Sequence, residues 1–417
     1  MKIFKFGGAS VKDADSVRNV ASVLKKFPKD DLIVVVSAMG KITNALEKLV
    51  DAFFYRKEDT AKVLAEIKKY HSDILKNLFP DTSHSVHAAL NAVFAGMEKN
   101  LARTPSDSYN REYDQIVGMG EVISSKIVSA YLNEAGIINK WLDVLEVIKT
   151  DNTFREGKVN WELTEKLALP LSGQKGITIT QGFLGETADK LTATLGREGS
   201  DYTAAILAYC TNAASVTIWK DVPGVMNADP KWFDETKLID QMSYQDAIEL
   251  SYYGATVIHP KTIKPLQNKK IPMYVRSFLQ PDEKGTLINE QPSALPVPCF
   301  IFKVNQILLS ISPKDFSFIV EENFSDIFKT FAEHHVKVNV MQNSAISFSV
   351  CMDNDERKIP GLMATLKEKF RVLYNDHLEL ITIRYYDQST IDRVCIGKKT
   401  LLEHKSRYTV QLVVKNA

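Results

Sequence analysis

Apolar runs and helically spaced apolar positions alternate along the N-terminal two thirds of the chain. Ile3–Phe6, Leu32–Val36, Ile177–Thr180, Val216–Trp219 and Pro272–Val275 read as strands, several of them continuous rather than alternating in polarity. Continuous runs suit strands covered on both faces, as in a parallel sheet flanked by helices. From Asp13 the spacing turns helical, with Val17, Val20, Ala21 and Leu24 on one face. Ile42 to Leu101 is mainly helical, carrying Leu46, Leu49 and Val50 and then Val63, Leu64 and Ile67, and reads as an insertion over the sheet. Pro292, Pro296 and Pro298 then crowd together, a composition typical of a linker.

After the prolines the pattern restarts. Ile307–Ile311 reads as strand, Ser325–His335 as helix, Val336–Met341 and Ile346–Cys351 as strands, Ile359–Phe370 as helix and Arg371–Tyr374 as strand. That β-α-β-β-α-β order is the ferredoxin-like unit. Leu378–Tyr386 and Tyr408–Val414 supply strands of a second, shortened copy. The expected fold class is therefore α/β, a mainly parallel central sheet with helices on both faces, followed by a C-terminal ferredoxin-like α+β region. Its expected spans are residues 1–290, a linker at 291–303, a first unit at 304–375 and a shortened unit at 376–417.

Length and charge narrow the possibilities. At 417 residues the chain exceeds one ordinary core, so two or three domains are expected. The 52 Lys+Arg against 51 Asp+Glu give a net charge of +1, which argues against a nucleic-acid or membrane-surface partner. Leu32–Val36, the longest clear aliphatic run, is far short of a membrane span, and the first residues lack a signal pattern, so the cytoplasm is the expected location. Cys210, Cys299, Cys351 and Cys395 are scattered without a Cys-x-x-Cys pair, and His84 and His87 have no further ligands near them in sequence. No residue is assigned to a metal.

The candidate chemistry sits in glycine turns at strand ends. Lys5-Phe6-Gly7-Gly8-Ala9-Ser10 lies between a strand and a helix, where backbone N–H groups and a lysine can hold an anion; a plain tight connection is the alternative. Gly196-Arg197-Glu198-Gly199-Ser200-Asp201-Tyr202-Thr203 feeds a second helix, with Ser200 suited to the N-cap, Arg197 to gripping a carboxylate and Asp201 to the positive end of the helix dipole. The segment Lys220 to Lys231, which contains Asp221 and Met226, follows the strand ending at Trp219; its two Pro turns and two acids fit the mouth of an open α/β sheet, where ligands bind, and a plain strand-to-loop exit is the alternative. Lys261 either reaches a phosphate or is solvated. Ser37 and Thr43 follow the Leu32–Val36 strand, and Glu121 opens a helix as a dipole partner or an ammonium ligand. There is no Gly-x4-Gly-Lys-[Ser/Thr] loop, no Rossmann glycine spacing and no Gly-x-Ser-x-Gly elbow. The inventory suits phosphoryl transfer, which needs charge neutralisation and positioning more than a covalent nucleophile.

Together, Lys5-Phe6-Gly7-Gly8, Val36-Ser37-Ala38-Met39, Gly120-Glu121, Gln181-Gly182-Phe183, Gly199-Ser200-Asp201-Tyr202-Thr203-Ala204, Asp221-Val222-Pro223-Gly224 and His259-Pro260 resemble, in order, the motifs of the aspartate kinases of the amino-acid kinase family. The resemblance covers nearly the whole chain. It implies transfer of the γ-phosphoryl group of ATP, with Mg²⁺, to the side-chain carboxylate of L-aspartate, giving 4-phospho-L-aspartate on the route to lysine, threonine and methionine. It implies catalytic roles for Lys5, Gly8 and Asp201, with Gly7 beside the transferring group. Arg197 would clamp the α-carboxylate, assisted by Ser37, Thr43 and Ser200, and Glu121 would take the α-ammonium. Lys220, Asp221, Met226, Lys231 and Lys261 would lie along the nucleotide.

The chain departs from the family pattern at Ala9, at Glu198 where a glycine is usual, at Lys220, at Met226 and at Thr256, where many members carry a lysine. The C-terminal region resembles ACT regulatory domains, implying an amino-acid effector and a homodimer or homotetramer. There Asn343-Ser344-Ala345-Ile346-Ser347 lacks the acid of lysine-sensitive members. The alternatives are a non-catalytic amino-acid sensor that retains the fold and another member of the same kinase family.

Overall fold

The structure, a computed structural model, describes residues 1–416 other than Lys57, Asp234, Thr256, Val257, 293–295 and Phe316. The Thr256 departure and part of the expected linker thus lie outside the described residues. The described chain divides into two compact units, one within Met1–Val225, Leu238–Ile248 and Val257–Ser293, the other within Met226–Lys237, Glu249–Thr256 and Ala294–Ala417.

The first unit is built on β1 (Lys2–Phe6), β2 (Leu32–Val36), β3 (Asn139–Leu142), β4 (Ile177–Gln181), the small pair β5 (Leu184–Glu186) and β6 (Thr192–Thr194), β7 (Val216–Lys220), β8 (Gln241–Ser243), β9 (Met273–Ser277) and β10 (Thr286–Asn289). Eight of these form one sheet in the order β3-β4-β2-β1-β7-β9-β10-β8. Every neighbour pair is parallel except β9 with β10. All five residues of β2 are inaccessible to solvent, as a strand covered on both faces must be. Removing each such aliphatic side chain from water contributes about 1.5–3 kcal/mol.

Helix α1 (Ala14–Leu24) buries Val17, Val20, Ala21 and Leu24, and the Asp13 carboxylate caps it by accepting the Ser16 N–H at 2.8 Å. The helical insertion resolves into α2 (Ile42–Tyr55), α3 (Thr60–Leu78) and α4 (Ser85–Leu101), whose apolar faces join the core above the sheet. His84 caps α4 by accepting the Val86 N–H at 3.2 Å. Next come α5 (Tyr109–Val117), α6 (Met119–Glu134), α7 (Trp161–Ala168), α8 (Gly199–Thr211), α9 (Tyr244–Tyr253) and α10 (Pro260–Asn268).

In the second unit, β11 (Cys299–Pro313), α11 (Glu321–Glu333), β12 (Val338–Asn343), β13 (Phe348–Asp353), α12 (Ile359–Lys369) and β14 (Phe370–Arg384) follow the expected β-α-β-β-α-β order. Then α13 (Gln388–Cys395), β15 (Lys398–Lys405) and β16 (Thr409–Asn416) complete one antiparallel sheet, β12-β13-β11-β14-β16-β15.

Two expectations are corrected here. The strand read as Ile307–Ile311 begins at Cys299, because Cys299–Lys303 pairs with Leu380–Arg384. The strands read separately as Arg371–Tyr374 and Leu378–Tyr386 are one, β14. The polar Asn375-Asp376-His377 interrupts its apolar pattern, but the pairing continues across a bulge in which Asn305 and His377 take positive φ of 53°. The two C-terminal pieces therefore share a single sheet.

Candidate active site

The parallel register decides what meets at the sheet's C-terminal edge. Phe6 lies opposite Val36 and Trp219, and Val36 opposite Gln181, so the segments after β1, β2, β4 and β7 emerge side by side. There they border a cavity of about 870 Å³. Gly8 is needed for close approach rather than for its φ. A Cβ there would come within 2.8 Å of the Ala38 carbonyl and 3.0 Å of that of Gly40, whose own N–H bonds to the Gly8 carbonyl at 3.0 Å.

Nine residues proposed from the sequence line this one cavity: Lys5, Gly8, Ser37, Thr43, Glu121, Arg197, Ser200, Asp201 and Lys220. Lys5 Nζ lies 2.6 Å from Asp201 Oδ1, and Lys220 Nζ lies 3.8 Å from Asp201 Oδ2. Burial alone would raise the Asp201 pKa, but the two ammonium charges outweigh it and hold the carboxyl below its ordinary range. A buried acid thus orients two lysines at the cavity floor.

Glu121, in the first turn of α6, is 4% exposed. Burial pushes its carboxyl up to about 8, opposed by the Ala38 amide and the Lys5 charge. Its Oε2 atom has no hydrogen-bond partner among the described residues. An acid kept dry and half-satisfied in a polar cavity suits a cationic ligand.

Helix α8 departs from expectation at its start. Its N-cap is Glu198, in the left-handed region at φ 53°, so Ser200 lies inside the first turn rather than capping it. Ser200 instead packs against Gly182, where a Cβ would fall 2.6 Å from the Ser200 Cβ. The remaining proposed residues do not line the cavity. Gly7 adjoins it, since a Cβ there would sit 3.4 Å from Lys5 Nζ. Lys261 Nζ lies 3.5 Å from the Cβ position of Gly196, a lining residue. Asp221 is exposed just beyond β7, and Met226 and Lys231 belong to the second unit.

Several lining residues had no signal in the sequence: Asn110, Tyr113 and the segment Thr153–Glu156. Arg155, at φ 67°, places its guanidinium 4.2 Å from the centre of the Tyr113 ring. The fully buried Asp114 anchors this wall, accepting the N–H of Arg155, the N–H of Thr194 and the Thr194 hydroxyl, each at 2.8 Å. Burial raises the Asp114 pKa, against the pull of these donors and of Arg155. The formal charges lining the cavity cancel, with Lys5, Arg155, Arg197 and Lys220 set against Glu121, Glu156, Glu198 and Asp201.

Comparison with known proteins adds independent findings. A model described as the amino acid kinase family matches residues 1–277. Lysine-sensitive aspartokinase 3 of Escherichia coli (strain K12) is 30% identical over 413 residues, covering 95% of this chain and 89% of the relative. A chloroplastic bifunctional aspartokinase/homoserine dehydrogenase 2 of Arabidopsis thaliana is 29% identical over 88% of this chain, which spans only 42% of that relative's length. The solved structure of E. coli aspartokinase III in complex with aspartate and ADP superposes with a TM-score of 0.82 at 26% identity, covering 99% of this chain and 96% of the other.

Proposed function

The chain belongs to the amino acid kinase family and, within it, to the aspartokinases, and from that premise we propose that it transfers the γ-phosphoryl group of ATP to the side-chain carboxylate of L-aspartate. A carboxylate oxygen forms the new P–O bond, the bond between the γ-phosphorus and the β–γ bridging oxygen breaks, and ADP leaves with that electron pair. The observation that carries this reading is the co-location of the Lys5–Asp201–Lys220 group with the buried Glu121 carboxyl, whose Oε2 has no partner among the described residues, in one cavity. Lys5 and Lys220 would neutralise charge on the transferring group, with Asp201 fixing their direction and Gly8 leaving room beside them. Glu121 would bind the α-ammonium and Arg197 the α-carboxylate, with Ser37, Thr43 and Ser200 at hand. Gly7, Asp221, Met226, Lys231 and Lys261 are kept as nucleotide-side residues on the family resemblance alone. A pure amino-acid sensor would have no use for a buried acid holding two lysines.

Mg²⁺ fits the donor set. The four lining cations, Lys5, Arg155, Arg197 and Lys220, are already offset in large part by Glu156, Glu198 and Asp201, so a polyphosphate gains from a cation brought with it, and carboxylates are suitable hard oxygen ligands. When bound, the ion would supply charge neutralisation on the phosphates.

The span 1–290 would be the catalytic domain and the expected units 304–375 and 376–417 ACT-like, sharing β14 and one sheet, with the expected linker 291–303 cut short where β11 begins at Cys299. These units would bind an amino-acid effector and pair subunits into a homodimer or homotetramer. The edge strand β12, with Met341 half exposed, offers a surface for such pairing. Among the described residues no helix is long and apolar enough to cross a membrane. The four cysteines are all free, which suits a reducing compartment, so a cytoplasmic location is proposed.

A coupled assay should show ADP release that depends on L-aspartate. Arg197→Ala should raise the aspartate KM by about 10–150-fold, the worth of a charged hydrogen bond of roughly 1.5–3 kcal/mol. Because Arg197 is exposed, the melting temperature should not move. ADP release at the same rate without aspartate would sink the assignment.

A further inference from the structure

We infer that Glu198 supplies a carboxylate oxygen to the divalent cation that enters with the nucleotide phosphates, and so couples nucleotide affinity to the metal. The inference rests on the kinase reading above.

Three observations converge on this residue. Glu198 holds the left-handed conformation at φ 53°, which glycine adopts freely and a side-chain-bearing residue adopts at a cost. Its Oε2 atom is buried and has no hydrogen-bond partner among the described residues, and an unpaired buried polar atom is a second cost. The residue lines the same cavity as Lys5, Gly8 and Lys220. Backbone strain and an unsatisfied acid at one position persist when they serve a ligand.

Charge identifies that ligand. The amides at the start of α8 favour an anion, yet the Glu198 carboxylate would repel one unless a cation stood between them. Asp201 is already committed to Lys5 and Lys220, which leaves Glu198 as the lining acid beside that helix start with an unpaired oxygen. Among the described residues no three acidic, His or Cys side chains converge to hold a metal by themselves. The cation must then complete its shell from phosphate oxygens and water, as Mg²⁺ usually does with one or two carboxylates. Pairing of Glu198 with Lys261, near Gly196, is the competing account.

The test is calorimetric titration of the full chain with ADP, with MgCl₂ and in its absence, for the wild type, Glu198→Gln and Glu198→Gly. Both variants should bind ADP with Mg²⁺ about 10-fold more weakly than the wild type, the loss of one charged contact. Metal-free ADP should bind the variants as well as, or better than, the wild type. Paramagnetic resonance with Mn²⁺ and ADP should show a matching loss of bound metal. Glu198→Gly relieves the backbone strain, so it should melt no lower than the wild type, which separates lost metal coupling from lost fold. Equal changes in both titrations, as lysine pairing would give, or no change in either, would overturn the inference. A wild type that binds no nucleotide in any condition would refute the kinase reading itself.

Discussion

The strongest prediction concerns the proton on Glu121. In the free cavity burial holds its carboxyl at about 8, so at pH 7 about nine-tenths of the molecules carry it protonated. An ammonium group binds the carboxylate form. Below pH 8, therefore, association must first strip a proton, and affinity for L-aspartate should climb as pH rises and level off above it. Scaling affinity by the ionised fraction makes binding at pH 8 about 50-fold tighter than at pH 6. Calorimetry at pH 7 in buffers of different ionisation enthalpy should register release of about 0.9 proton per aspartate bound. Among the described residues no histidine lines the cavity, so no lining imidazole mimics this profile.

The same shift has an opposite consequence for the free protein. The folded pKa lies above the unfolded value near 4.5, so the folded state holds the proton more tightly. Stability is accordingly lost as pH rises from 4.5 to about 8. Glu121→Gln removes that penalty and should raise the melting temperature at pH 8, by at most about 5 kcal/mol in free energy. It should also weaken aspartate binding about 10–150-fold. A flat affinity profile between pH 6 and 8, or undiminished binding by the glutamine variant, would refute the assignment of Glu121 to the ammonium group.

Asp201→Asn leaves Lys5 and Lys220 without their shared counter-ion in a buried setting, so unfolding titrations should report a loss of about 3–5 kcal/mol. Turnover should fall with it, and retention of both full stability and full activity would contradict the organising role. Asp114→Ala strands the buried Thr194 donors and frees the Arg155 backbone; we expect about 2–5 kcal/mol of destabilisation and a higher aspartate KM. Kinetics at saturating ATP would expose an unchanged KM, the result that would detach this wall from substrate binding.

Local periodicity and turn chemistry determined much of this protein from sequence alone. The continuous run Leu32–Val36, the glycines after Phe6 and the capped helix after Asp13 specify their own conformations through neighbouring residues, and the structure places them as read. The ordered motifs also identified the family, and all five residues singled out for substrate line one cavity.

Tertiary structure decided what local spacing cannot encode. The register of four parallel strands brings Lys5 to Asp201 and Lys220. Asp114 reads in sequence as one more helix acid, and only the approach of Arg155 and Thr194 makes it an anchor. The left-handed turn at Glu198 moved the cap of α8 away from Ser200, and pairing across a polar bulge merged two expected C-terminal sheets into one. In each case the outcome depends on partners distant along the chain, whose approach is set by sheet pairing and burial rather than by the residues on either side.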